Sequence, residues 1–127
     1  RAGLTACDMG CSYLLPRLVG LSVASELMMT GKFINAERAL KVNLVSEVVS
    51  EQELANTAEQ YIADMLATSP MGLRLTKDGL NLSVDAPSLD AAMALEDRQQ
   101  ALVASSADAR EAINAFLEKR TPSWKNQ

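Results

Sequence analysis

The sequence predicts a mainly α chain carrying one short strand. Apolar residues recur at helical spacing through most of it, Ser-Pro and Ala-Pro punctuation separates the stripes, and one short stretch is valine-rich without helical period. The clearest stripe is the last, where Ala109, Ala112, Ile113, Phe116 and Leu117 fall at i, i+3, i+4, i+7 and i+8. The strand candidate is Leu44-Val45-Ser46-Glu47-Val48-Val49, bounded by Asn43 and Ser50. A lone strand cannot satisfy its own backbone groups. It calls for a sheet that the sequence does not obviously contain.

In chain order, Asp8 or Ser12 can cap the first helix, since either side chain accepts a bond from an orphan amide. Pro16 is tolerated only near a helix start, so this helix should begin late or kink there. A second helix passes through Val23 to Met29 and stops at Gly31, a C-terminal glycine. Asn35 caps a short third helix from Ala36 to about Lys41. Beyond the strand, Leu54, Ala58, Tyr61, Ile62, Met65 and Leu66 share one face of a helix from about Glu51 to Ala67. Ser69-Pro70 ends it and starts the next, which carries Leu73, Leu75, Leu80 and Leu82. Asp85-Ala86-Pro87-Ser88 is a turn ending in a cap, and the helix after it is apolar at Leu89, Ala92, Met93 and Leu95 before a polar run to Gln100. The final helix runs from Asp108 to Lys119. Short helices with apolar stripes on several sides are expected to bury them against a missing domain, neighbouring subunits, or both.

Composition removes several function classes. Twelve Lys and Arg stand against 16 Asp and Glu, a net charge of -4, which argues against broad nucleic-acid binding. Histidine is absent, so no Ser-His or Cys-His catalytic pair can form and the commonest metal ligand is missing. Cys7 and Cys11 are too few and wrongly spaced for a zinc site, and are expected as small buried packers in a reducing cytoplasm. The most apolar region, Leu14 to Met29, is broken by Arg17 and Glu26, short of the ~20 apolar residues a membrane span needs. A chain starting at Arg1 fits a piece of a longer product.

Two places could carry chemistry. Asp8 sits in a small-residue loop with no cation beside it in sequence, so desolvation there would favour its protonated form and suit proton transfer. A plain helix cap needs the same residue in the same place. Phe116 and Lys119 lie three apart, and an aromatic face beside an ammonium suits an adenine ring next to a phosphate. The simpler assignment makes Phe116 core and Lys119 a solvated helix end favoured by the dipole.

The run from Asp8 through Pro16-Arg17-Leu18-Val19-Gly20, followed by Glu26-Leu27-Met28-Met29-Thr30-Gly31 and then Ala36-Glu37-Arg38-Ala39-Leu40-Lys41-Val42-Asn43-Leu44-Val45, resembles the crotonase superfamily (enoyl-CoA hydratase/isomerase). It begins in the middle of the family's pattern and covers about the last half. Ala115-Phe116-Leu117-Glu118-Lys119-Arg120 is similar to the family's closing motif. The resemblance implies the C-terminal part of an α/β ββα-spiral fold. Residues 1–50 would end the spiral core, and 51–127 would form the helical trimerisation and CoA-contact region. It implies an acyl-CoA thioester substrate, an enolate-like intermediate, and no cofactor beyond the coenzyme A of that substrate.

Family hydratases carry a glycine-rich loop where this chain has Asp8, and use two upstream glutamates. Dienoyl-CoA isomerases and aromatic acyl-CoA dehalogenases place an aspartate at this point, as proton mover or as nucleophile. The resemblance therefore makes Asp8 catalytic and leaves hydration, isomerisation and dehalogenase-like chemistry open. It gives Phe116 and Lys119 to the nucleotide end of coenzyme A, often that bound by a neighbouring subunit. The implied partners are an upstream N-terminal half with the oxyanion hole and a homotrimer or dimer of trimers, in the cytoplasm, with no nucleic acid. Two alternatives stand beside this: a truncated non-catalytic subunit mediating oligomerisation, and a helical interaction module unrelated to CoA.

Overall fold

Three of the helix starts follow from side-chain chemistry in the sequence itself. Asn35, Ser69 and Ser88 each turn an oxygen onto the amide three residues on, at 2.9 to 3.1 Å, and so open α2 (Ala36–Lys41), α4 (Pro70–Ser83) and α5 (Leu89–Ser105). The computed structural model describes residues 3–126, which also include α1 (Cys11–Thr30), α3 (Leu54–Leu66) and α6 (Ala107–Leu117). Pro70 stands in the first turn of α4, where its missing N–H costs nothing. Ser106 caps α6 through Ala109 N at 3.0 Å.

The chain divides into a unit up to Leu54 and a unit from Ala55. In the first, α1 starts at Cys11 on a Gly10 cap (φ 84°, ψ 4°) that has no side chain to offer, so neither Asp8 nor Ser12 caps it. Pro16 lies inside the helix, and the break falls four residues later at Gly20 (φ 78°, ψ 157°). That region of backbone space is essentially open to glycine alone, which is why the chain bends there and not at the proline. Gly31 closes α1 in a left-handed turn, its amide reaching the Leu27 carbonyl at 2.9 Å. Glu26 of α1 meets Arg38 of α2 in a two-pronged ion pair (2.5 and 3.0 Å).

The expected strand at Leu44 to Val49 does not form, and the described residues contain no strand. Asn43 adopts a left-handed φ of 60°, the Asn43 amide bonds Leu40 O at 3.1 Å, and Leu44 N bonds Ala39 O at 2.8 Å. This paired closure of α2 takes up the start of the segment, and the rest continues as irregular chain with Val45 and Val48 exposed. Valine's β-preference is largely a preference for packing on a pleated surface. Without a neighbouring strand it has no force.

In the second unit α5 packs on both α4 and α6. Between α4 and α5 runs a groove of about 330 Å³ lined by Leu75, Leu80, Val103, Glu96 and Gln99, with the Gln99 amide lying over Gly79. The apolar stripes are largely uncovered. Among the described residues the buried apolar side chains are Ala24, Ala39 and Ala115, while Phe33 is fully exposed and Ile62, Leu66, Leu89, Ile113 and Leu117 face outward. No described helix is long and apolar enough to cross a membrane.

Candidate functional site

Asp8 occupies a tight turn just ahead of α1. Met9 (φ 48°) and Gly10 (φ 84°) both lie in the left-handed region, and Cys11 N closes the turn on Asp8 O at 2.9 Å. Two successive positive φ values are the mark of a type I′ turn, for which Gly10 is the natural second residue and Met9 is not. The Asp8 carboxylate accepts the Met9 amide at 2.8 Å, which helps hold that unfavourable residue in place. Asp8 is exposed, and so are Cys7 and Cys11, both free thiols rather than the buried packers expected. The apolar enclosure that would tune this carboxylate is not supplied by the described residues around it. Arg17, one turn further, lies 3.4 Å from the Tyr13 ring centroid and donates to the Tyr13 carbonyl at 2.9 Å.

Phe116 and Lys119 share one turn, but not as two positions on a helix face. The helix ends at Leu117, and Lys119 falls just past it with a left-handed φ of 55°. Its amide bonds the Phe116 carbonyl at 3.2 Å, and the next amide, of Arg120, bonds Ala115 O at 3.0 Å. This is the double closure usually built around glycine, here carrying a lysine at its strained position. Phe116 is 82% exposed, so its ring is not core. Lys119 has no ion-pair partner among the described residues.

Sequence reasoning missed the carboxylate ties that hold this turn, though Trp124 after Pro122 is expected from the sequence to pack back on a neighbouring surface. Arg120 puts two nitrogens on Glu111 (2.5 and 3.0 Å) and its Nε on Glu118 (2.6 Å), while Glu111 also accepts the Ser123 amide at 2.8 Å. Asp108, 1% exposed, is the largest fully buried side chain among the described residues and accepts the Lys125 and Asn126 amides at 2.7 and 2.9 Å. Trp124 donates its ring N–H to the Leu66 carbonyl at 3.2 Å. The tail is thus tied to α6 by two carboxylates and to the end of α3 by an indole. Two acids three apart on an otherwise apolar-striped helix were the only local signal.

The Arg120 guanidinium, with the Ser123 amide behind it, pulls Glu111 from its ordinary 4.5 to about 2. Likewise Arg38 holds Glu26 below its usual range. A depressed carboxylate stabilises the fold above its ordinary value and loses that contribution as pH falls towards its folded one. The Glu111 tie should therefore weaken between pH 4.5 and about 2. Urea midpoints across that range should fall in the native chain, and part of the slope should vanish in Glu111→Gln. Both side chains are partly open to solvent (23% and 40%), so the effect should also shrink in salt.

Asp8 belongs to the first unit, and the Phe116–Lys119 turn to the second. The described residues contain no group of three acids or thiols arranged to hold a metal.

The sequence profile of the enoyl-CoA hydratase/isomerase family matches residues 1–127. The chain is 41% identical over 121 residues to a "probable enoyl-CoA hydratase" of Mycobacterium tuberculosis, covering 94% of this chain and 42% of that protein. It is also 41% identical over 118 residues to the 1,2-epoxyphenylacetyl-CoA isomerase of Escherichia coli, covering 92% of this chain and 44% of that enzyme. The crystal structure of an enoyl-CoA hydratase from Bacillus anthracis superposes with a TM-score of 0.86 at 31% identity, over 93% of this chain and 45% of that one. The chain spans less than half the length of each of these relatives.

Proposed function

Because the chain belongs to the enoyl-CoA hydratase/isomerase family, we propose that it is the C-terminal part of an enzyme acting on an acyl-CoA thioester through an enolate-like intermediate. The observation that carries this reading is the family match along the whole chain at less than half the relatives' length. In the proposed assignment Asp8 moves a proton on the acyl group, and the Phe116–Lys119 turn receives the nucleotide end of coenzyme A. Preorganised amide donors for the thioester oxygen supply a large share of such catalysis. They would come from the other half of the polypeptide, so this chain by itself would turn over little or no substrate. The exposed stripes on α1, α3 and α6 support a covering half or neighbouring subunits in a trimer.

The relatives include hydratases and an isomerase, and the choice between those reactions rests on Asp8. The experiment is thermal unfolding with a short enoyl-CoA at great excess. A ligand that binds only the folded chain at a hundred times its Kd adds about 2.7 kcal/mol, a readily measured rise in Tm. No rise at any attainable excess would favour the helical interaction module instead. Binding without turnover, after the missing half is added, would favour the non-catalytic subunit.

A further inference from the structure

We propose that Glu111 and Arg120 are positioning residues for Lys119, holding the left-handed turn that presents its ammonium to the phosphates of a CoA-type nucleotide. This rests on the reading of the Phe116–Lys119 turn given above. A lysine with φ of 55° is in a conformation that L side chains rarely adopt, and it persists only where the surroundings over-determine it. Here the determinants are visible on both sides. Upstream, the Phe116 and Ala115 carbonyls receive the Lys119 and Arg120 amides. Downstream, the Arg120 side chain is clamped by its fork on Glu111, and the same carboxylate takes the Ser123 amide. The residues immediately beyond Lys119 are therefore anchored to Glu111 in the second turn of α6.

The same contacts divide labour between two adjacent cations. Arg120 faces two carboxylates, Glu111 and Glu118, so its charge is already matched. Lys119 has none among the described residues, and the exposed Phe116 belongs to the same turn. An anion carrying a flat heterocycle would meet Lys119 and Phe116, not Arg120.

A purely electrostatic site and a positioned one respond in opposite directions to the same substitution. Glu111→Gln removes a negative charge close to the turn, so long-range attraction alone would tighten phosphate binding. Loss of positioning weakens it. The test titrates adenosine 3′,5′-bisphosphate into the chain and reads Kd from the shift of the Lys119 amide in NMR spectra. Glu111→Gln should weaken binding about tenfold, the scale of one misplaced charge-assisted hydrogen bond. Arg120→Lys, which keeps the charge but loses the fork, should weaken it similarly. Helical content checked by circular dichroism should be preserved in both. Unchanged or tighter binding in either variant overturns the inference while leaving the turn as the nucleotide site. If Lys119→Ala itself leaves Kd unchanged, the nucleotide reading fails, and the inference with it.

Discussion

If Asp8 moves the proton as proposed, Asp8→Asn in the full-length protein should lower kcat by about 10²–10⁴-fold, the range contributed by a positioned acid or base, with CoA-thioester affinity nearly unchanged. The amide is the same size as the carboxylate and can still accept the Met9 N–H that Asp8 accepts at 2.8 Å. Asparagine also tolerates such turns, so the loop should keep its shape and lose only its proton chemistry. Steady-state kinetics with direct Kd measurement separate the two effects. A parallel loss of kcat and affinity would mean that Asp8 merely shapes the loop. A kcat within a few-fold of the native value would remove it from the reaction altogether.

The largest effect on stability should come from Asp108→Ala. Its buried carboxylate ties down the Lys125 and Asn126 amides, and hydrogen bonds to a charged group contribute about 1.5–3 kcal/mol each. Losing both should cost about 3 kcal/mol or more, a large part of the 5–15 kcal/mol typical of a folded domain. Asp108→Asn should be a poor rescue. Its amide can accept only one of the two bonds, and it turns its own N–H donors on the other. Urea midpoints at unchanged m-value measure the loss. A shift below about 0.5 kcal/mol, the ordinary surface background, would show that the tail is held by something else.

The parts of the fold legible in the sequence were those set by near neighbours. Asn35, Ser69 and Ser88 each act on an amide three residues away, so their caps could be read directly. Proline's missing amide points to Pro16 for a break in α1, but Gly20 can reach φ 78° and ψ 157°, and the chain bends there. A glycine in a helical pattern carries no mark saying it will do so. Leu44 to Val49 reads as a strand because valine preference reports packing on a sheet, but the closure of α2 around Asn43 takes up the start of that run instead. Of the candidate site, Asp8, Phe116 and Lys119 stood out through motif order. The ties around them did not, because Glu111–Arg120, Asp108–Lys125 and Leu66–Trp124 span 9, 17 and 58 residues. No local pattern encodes such pairings.

The most enclosed large side chain among the described residues is a carboxylate, and the apolar ones that are buried are three alanines. With so little apolar surface fully enclosed, the heat-capacity change on melting should be below the average for its length. Its stability curve should be correspondingly flat. Chilling should then find little oil-like cohesion to weaken.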